Sequence, residues 1–289
     1  MIKIYVCVTG DLFHYGHLSF FKKAREFGDY LIVGVHSKGG NDTITTGSGN
    51  DTVYLGNGTY TVDLGAGDDK VYLTTTASSI DGNTGTDEAI VRAFDGFVDV
   101  YVDLQFSTYF VPSKLTAQDG MEVSLQNFEK VTIDGNVAAT ILGTAAADTL
   151  IGDSGADTIT GRAGADTLTG GSKSDTFVFS SGDTGITLDT ADTITDFSTG
   201  TDKIDITTVG NYVEADGAGN ANIAAFITDA DASLPTTSID IYAEYNFNGE
   251  GNTLVVIDED KSGAVNTGDT LIILTGLSTA DGLDASDFI

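Results

Sequence analysis

The stretch from residue 147 to residue 177, ADTLIGDSGADTITGRAGADTLTGGSKSDTF, repeats a pattern every nine residues. In each repeat an aspartate is followed two residues later by an apolar residue and is preceded by a glycine-containing loop. The aspartates are Asp148, Asp157, Asp166 and Asp175, and the apolar residues are Leu150, Ile159, Leu168 and Phe177. A short fixed period of this kind is typical of a solenoid, in which each repeat packs only against its neighbours.

The same nine-residue period occurs nearer the start of the chain, from Gly40 onwards. Asp42, Asp51 and Asp69 lie on it, and Tyr60 occupies the remaining aspartate position. The glycines that keep the period are Gly40, Gly49, Gly58 and Gly67, together with Gly47, Gly56 and Gly65. Two such runs in one chain are not produced by chance, so we predict two blocks of the same repeat.

Each position of the repeat has a physical role. Glycine permits positive φ and lets carbonyl groups approach one another, and the aspartate adds a hard carboxylate oxygen. The residues after the aspartate favour a strand with one apolar side chain pointing inward, as in Thr158-Ile159-Thr160. Stacked copies bury a continuous aliphatic column. The predicted fold class is therefore all-β, a parallel β-roll or β-solenoid.

Stacking also brings aspartates of successive coils together. Two like charges about 4 Å apart repel by about 4 kcal/mol at an effective dielectric constant of 20. A row of aspartates would therefore open the solenoid unless cations lie between the loops. Calcium is favoured over magnesium because it accepts six to eight oxygen ligands in flexible geometry.

Composition excludes several classes of partner and site. The 289 residues include 43 acidic and 13 basic side chains, for a net charge of −30, which disfavours binding to nucleic acid or to an anionic membrane. The single cysteine and all three histidines lie within residues 1–38, which carry five basic and three acidic groups. The rest of the chain therefore lacks the imidazole and thiol needed for Ser-His-Asp or Cys-His catalysis and for ordinary zinc sites.

The repeat pattern resembles the RTX, or hemolysin-type, nonapeptide GGxGxDxUx of calcium-binding parallel β-rolls. The resemblance implies two repeats per coil and calcium held between loops of adjacent coils. The implied aspartate pairs are Asp51 with Asp69, Asp148 with Asp166, and Asp157 with Asp175. The implied calcium-site residues are Gly40, Asp42, Gly47, Gly49, Asp51, Gly65, Gly67, Asp69, Asp148, Gly155, Asp157, Gly164, Asp166 and Asp175. The alternative is a Gly/Asp-rich solenoid that needs no calcium.

Two positions depart from that nonapeptide. Tyr60 replaces an aspartate, so the loop that ends there is expected to bind calcium weakly or not at all and to leave Asp42 with an incomplete partner. Lys173 stands where a glycine is expected.

A second candidate calcium loop lies between residues 258 and 269. Oxygen-bearing side chains occupy its positions 1, 3, 5, 9 and 12, and they are Asp258, Asp260, Ser262, Asn266 and Asp269. This is the spacing of an EF-hand loop, with the required glycine at position 6, and it resembles the dockerin version. The flanks 253–257 and 270–274 favour strands, so we predict a calcium-binding β-hairpin; the alternative is a plain acidic turn.

The remaining repeat-poor regions are predicted as β structure. Residues 91–139, with strand-like alternation at 97–104 and 121–133, are expected to continue the roll of residues 39–180 without ions. Residues 181–289 are expected to form a C-terminal β cap and resemble the segment that follows the repeats in serralysin-type proteases and S-layer proteins. The end of the sequence, 287–289, resembles the uncleaved signal of type I secretion substrates.

Residues 1–38 have a different character. They predict a βαβ fragment, with strands at 2–8 and 30–35 and a helix at 18–27. The motif His14-Tyr-Gly-His17 resembles the HxGH motif of cytidylyltransferase-like nucleotidyltransferases, which implies phosphate stabilisation by the two histidines. The fragment lacks the further parallel strands and the second motif of that family. We therefore expect a cap on the solenoid rather than an enzyme, with nucleotidyl transfer as an alternative.

Taken together, these patterns predict a secreted, calcium-folded structural or surface module, similar to an S-layer or adhesin, that is exported by type I secretion. Its expected cofactor is Ca²⁺, and its expected partners are the secretion machinery and either further copies of itself or a cell-surface polysaccharide. The alternative is the export and folding module of a secreted RTX hydrolase. No catalytic residues are predicted in the repeats.

Overall fold

The structure is a computed structural model that describes residues 3–9, 30–36, 41–56, 59–73, 78–92, 99–104, 113–117, 121–206, 211–214, 220, 222–234, 240–277 and 282–289. The chain divides into two compact units, residues 1–140 and 141–289. The predicted helix at 18–27, the HxGH motif and Gly40 lie outside the described residues.

The described part of the first unit consists of short strands. They are β1 (Lys3–Thr9), β2 (Tyr30–His36), β3 (Asn41–Thr45), β4 (Thr52–Leu55), β5 (Thr59–Asp63), β6 (Lys70–Leu73), β7 (Ser78–Asp81), β8 (Glu88–Arg92), β9 (Asp99–Asp103), β10 (Ser113–Ala117), β11 (Met121–Gln126) and β12 (Lys130–Asp134). A further strand, β13 (Ala138–Leu142), lies where the two units divide.

Two parallel rows of strands form the roll of the first unit. One row has the order β1-β2-β4-β6-β8-β12, and the other includes β3-β5-β7-β11. Partners in adjacent coils are eighteen residues apart, as with Val53 and Val71 or Ile44 and Val62. These four side chains are buried and form part of the aliphatic column. The prediction of two nonapeptides per coil is confirmed.

One part of the first unit differs from the expected continuation of the roll. Strand β10 is antiparallel to both β9 and β11. Only residues 118–120 separate β10 from β11, and a parallel pair needs a crossover of about a dozen residues. The roll resumes at β12, which pairs in parallel with β8.

The strands of the predicted N-terminal fragment are also confirmed, and they join the roll. Strands β1 and β2 pair in parallel, and β2 pairs in parallel with β4 so that Ile32 lies opposite Thr52. The fragment therefore extends the same sheet as the first repeat block.

The second unit contains β14 (Thr149–Ile151), β15 (Thr158–Thr160), β16 (Thr167–Thr169), β17 (Thr176–Phe179), β18 (Asp192–Ile194), β19 (Lys203–Ile206), β20 (Asn211–Glu214), β21 (Asp240–Phe247), β22 (Asn252–Asp258) and β23 (Thr270–Leu274). One sheet has the order β14-β16-β18-β23-β22-β21-β20, and the other contains β15-β17-β19. In β14, β15 and β16 the middle residues, Leu150, Ile159 and Leu168, are fully buried, so the predicted three-residue strands are confirmed.

The predicted strands on either side of the 258–269 loop are confirmed as the antiparallel pair β22–β23. The expected β cap also contains a helix, α1 (Ile223–Ser233), which begins where the Asn222 side chain accepts the Ala225 N–H at 3.1 Å. Phe226 and Ala230 are buried on its inner face, against a cluster that includes Tyr242. Apolar spacing of three and four residues is a helical period, and here it prevails over the surrounding β pattern. No helix among the described residues is both long and apolar enough to cross a membrane.

Candidate metal sites

Two rows of aspartates run through the second unit, each linked from coil to coil by the same hydrogen bond. The backbone N–H of Asp148 donates to Asp166 Oδ1 at 2.8 Å, and the N–H of Asp166 donates to Asp192 Oδ1 at 2.8 Å. In the other row the N–H of Asp157 donates to Asp175 Oδ1 at 2.8 Å, and the N–H of Asp175 donates to Asp202 Oδ1 at 3.0 Å. The structure thus brings together the predicted pairs Asp148–Asp166 and Asp157–Asp175.

The second carboxylate oxygen in these rows is buried in a position that water does not reach. Asp166, Asp175 and Asp192 are at most 1% exposed, and the Oδ2 atom of each has no hydrogen-bond partner. Burial raises the pKa of Asp166 to about 7, that of Asp175 to about 6 and that of Asp192 to about 8. A buried anionic oxygen without a partner is costly unless a cation compensates it.

Glycines at the start of each loop leave space for these oxygens. A methyl group added to Gly161 would overlap Asp166 Oδ2, and one added to Gly170 would overlap Asp175 Oδ2. One added to Gly143 would lie 2.5 Å from the Gly161 carbonyl oxygen of the next coil. Carboxylate and carbonyl oxygens therefore converge at positions that the side chain of any other residue would occupy. Calcium binds hard oxygen ligands of these two kinds. The residues present fit calcium.

Three loop residues other than glycine adopt the positive-φ backbone conformation that favours glycine. Asp153, Arg162 and Lys173 have φ values of 72°, 71° and 90°. Lys173 is the residue that the sequence marks as replacing a glycine. Such conformations cost about 1–2 kcal/mol for residues other than glycine, and they persist because the stacked loops hold them. Of the predicted loop glycines, Gly164 has a φ of 138° and lies against the preceding coil, whereas Gly155 is not among the described positive-φ residues.

Among the described residues of the first unit there is one such row. The N–H of Asp51 donates to Asp69 Oδ1 at 2.6 Å, and the N–H of Asp69 donates to Asp87 Oδ1 at 2.8 Å. The predicted loop glycines Gly47, Gly49, Gly65 and Gly67 all have positive φ. On the opposite side, Tyr60 lies in register between Asp42 and Ser78, and its side chain is buried.

The hairpin loop brings its acidic residues together. Ligand atoms of Asp258, Asp260 and Asp269 all lie within 4.8 Å of one another. The side-chain amide of Asn266 donates to Asp260 Oδ2 and to Ser262 Oγ, both at 3.0 Å. Burial raises the pKa of Asp269 to about 6 and also raises that of Asp258, whereas hydrogen bonds from Ser262 and Asn266 lower the pKa of Asp260. The loop is arranged for a cation, and calcium binding there stays a prediction.

Three aspartates that continue these rows, Asp87, Asp192 and Asp202, are not among the predicted site residues. Asp87 lies on the nine-residue period, eighteen residues after Asp69. Asp192 and Asp202 come 26 and 27 residues after their partners instead of eighteen, which hides them from a search at fixed period. The usable signal is local, because Asp192-Thr-Ile194 repeats the tripeptide Asp157-Thr-Ile159.

Comparison with known families agrees with this geometry. Residues 36–71 and 142–177 match the RTX calcium-binding nonapeptide repeat, which occurs in four copies, so the chain carries calcium-binding RTX repeats. Residues 7–47 match the cytidylyltransferase-like family.

Similar proteins cover the two parts of the chain unequally. Glycerol-3-phosphate cytidylyltransferase of Bacillus spizizenii is 51% identical over 35 residues, which are 12% of this chain and 27% of the relative. Ethanolamine-phosphate cytidylyltransferase of Arabidopsis thaliana is 50% identical over 34 residues, which are 12% of this chain and 8% of the relative. The extracellular lipase LipA of Serratia marcescens matches 91% of this chain and 40% of its own, at 16% identity and a TM-score of 0.23. The chain thus spans only a small part of the curated relatives.

Proposed function

We propose that the chain is a calcium-folded structural module that acts outside the cell. The observation that carries the proposal is the set of stacked aspartates whose buried Oδ2 atoms lack a hydrogen-bond partner, at Asp87, Asp166, Asp175 and Asp192. Their carboxylates oppose folding at neutral pH, and calcium between the coils compensates them. Binding only to the folded state shifts the folding equilibrium by mass action.

This linkage fits export in an unfolded state. Extracellular modules bind calcium at about 10⁻⁴ to 10⁻³ M, a range that leaves the roll unfolded at the low calcium of the cytosol. We propose that the chain leaves the cell by type I secretion and folds outside, where it joins an S-layer or adhesive assembly or contacts a surface polysaccharide. The net charge of −30 also supports a role for cations in any contact between copies.

The test is far-UV circular dichroism of the full chain in EDTA, in magnesium and in calcium. Calcium should produce the β spectrum with a midpoint near about 10⁻³ M, whereas magnesium at the same concentration should not. A full β spectrum in EDTA that calcium does not change would refute the proposal. Electron microscopy of the calcium-loaded protein tests assembly separately, because ordered arrays support a surface layer and monodisperse particles refute it.

We further propose that the chain is not an enzyme. The cytidylyltransferase match covers residues 7–47 alone, and the fragment joins the roll through β2 and β4. A thermal-shift assay with CTP checks this: no shift is expected for the wild-type protein. A shift that the His14→Ala variant abolishes would instead establish a nucleotide site.

A further inference from the structure

The loop at residues 82–87 repeats the oxygen arrangement of the RTX loops, although it lies beyond the matched residues 36–71. A methyl group on Gly82 would lie 2.6 Å from Asp87 Oδ2 and would overlap the Asn127 carbonyl oxygen. In the matched repeats, a methyl on Gly143 would lie 2.8 Å from Asp148 Oδ2 and 2.5 Å from the Gly161 carbonyl oxygen. Asn127 thus supplies the carbonyl that a glycine of the next repeat supplies elsewhere.

A glutamate completes the arrangement in place of the next aspartate. The backbone N–H of Asp87 donates to Glu129 Oε2 at 2.9 Å, which is the bond that an aspartate of the next coil accepts in the other rows. Asp87 is fully buried, and its Oδ2 has no hydrogen-bond partner. Burial together with the nearby charges of Glu129, Asp68 and Asp81 raises the pKa of Asp87 to about 6.

The segment that carries Asn127 and Glu129 is held firmly against the loop. The Gly82 N–H donates to the Gln126 carbonyl at 2.9 Å, and the Asn127 side-chain amide donates to Asp81 Oδ1 at 2.7 Å. The Lys130 N–H donates to the Asp87 carbonyl at 3.0 Å. In the folded chain the backbone therefore holds the oxygens of the two segments close together.

We propose that a divalent cation with the chemistry of calcium binds between the 82–87 loop and the 127–129 segment, with Asp87 Oδ2, the Asn127 carbonyl and the Glu129 carboxylate among its ligands. Gly85 and Asp87 keep the nine-residue phase of Gly67 and Asp69. Asn127 and Glu129 lie outside the repeats, in the segment 91–139 that the sequence predicted to be free of ions. The ion holds β12 against β8, at the point where the chain returns to the roll after the antiparallel strand β10. The inference rests on the calcium-dependent folding proposed above.

The test compares the calcium content of full-length Glu129→Gln with that of wild type and of Glu250→Gln, which changes an exposed glutamate. Glutamine keeps an oxygen that accepts the Asp87 N–H but removes the charge. After equilibrium dialysis at about 10⁻³ M calcium, mass spectrometry of the metal should show one calcium fewer per chain for Glu129→Gln and for Asp87→Asn. Glu250→Gln should match wild type. Equal calcium content and affinity in Glu129→Gln and wild type would overturn the proposal.

Amide hydrogen exchange of the wild-type protein tests the site without a variant. Calcium should slow exchange in residues 126–130 as well as in the repeat strands at 149–169. If calcium protects 149–169 and leaves 126–130 unchanged, the site is refuted while calcium-dependent folding stands. If it protects neither, the proposed function itself fails.

Discussion

Replacing Asp166 by asparagine should change the stability of the protein in opposite directions with and without calcium. The Asp166 side chain is 1% exposed, and burial raises its pKa from 3.8 to about 7. At about 1.4 kcal/mol per tenfold change in the protonation equilibrium, the ionised carboxylate costs the calcium-free fold about 4 kcal/mol at pH above 7. Asparagine keeps the acceptor for the Asp148 N–H, and its buried amide costs about 1–3 kcal/mol. The calcium-free variant should therefore be about 1–3 kcal/mol more stable than wild type.

The assay is urea unfolding followed by circular dichroism near pH 8, once in EDTA and once in calcium, with equal sucrose in all samples to maintain a folded baseline. In EDTA the midpoint of Asp166→Asn should exceed that of wild type. In a calcium titration the variant should need about tenfold more calcium, equivalent to about 1.4 kcal/mol, because one charged ligand is lost. Asp189→Asn, at an exposed position, should match wild type in both. A loss of stability of equal size in EDTA and calcium would mean that the carboxylate serves only as a hydrogen-bond acceptor between coils.

Three further outcomes follow from the same geometry. Because burial raises the pKa of Asp87 to about 6 and that of Asp192 to about 8, protonation favours the fold. The urea midpoint in EDTA and the same sucrose should therefore rise as the pH falls from about 8 towards 5, and a fall would contradict this. Lys173 has a φ of 90°, which glycine adopts without steric strain. After the entropy cost of glycine is subtracted, Lys173→Gly should stabilise the calcium-loaded protein by about 0.5–1 kcal/mol in calorimetry. No gain in stability would mean that the loop is unstrained. Asp269→Asn should lower the calcium content by one ion per chain while the circular dichroism response of the repeats persists, and an unchanged content would identify the hairpin loop as a plain acidic turn.

The repeat blocks could be predicted from the sequence because every feature of the nonapeptide acts locally. Ile159 is buried because it lies between two threonines in a strand of three residues, and its partner in the next coil is fixed by the eighteen-residue interval. The resemblance to RTX repeats, with two repeats per coil, implied the contact of Asp157 with Asp175, and the structure shows it. Period, side-chain alternation and loop glycines all specify one register, so no tertiary information was needed.

The features that the sequence did not predict depend on contacts across longer and irregular intervals. Glu129 accepts the Asp87 N–H, as an aspartate of the next coil does in the other rows. Glu129 lies 42 residues after Asp87, and no periodic pattern relates the two positions. Strand β10 is antiparallel to β11 because the link between them, residues 118–120, is too short for a parallel crossover. Helix α1 becomes stable by packing Phe226 against Tyr242 of β21, at a ring-centroid distance of 5.6 Å.

The described residues of the two units differ in how many rows of buried aspartates they contain. The second unit has aspartates along both rows of loops, with an unpartnered buried oxygen at Asp166, Asp175 and Asp192. In the first unit the row opposite Asp87 contains Tyr60, whose buried ring adds apolar contact instead of charge. Strands β1 and β2 add further parallel pairing to that unit without adding to its aspartate row. Since each uncompensated carboxylate opposes folding, we expect the second unit to depend more steeply on calcium, and the first to derive a larger share of its stability from packing and strand pairing.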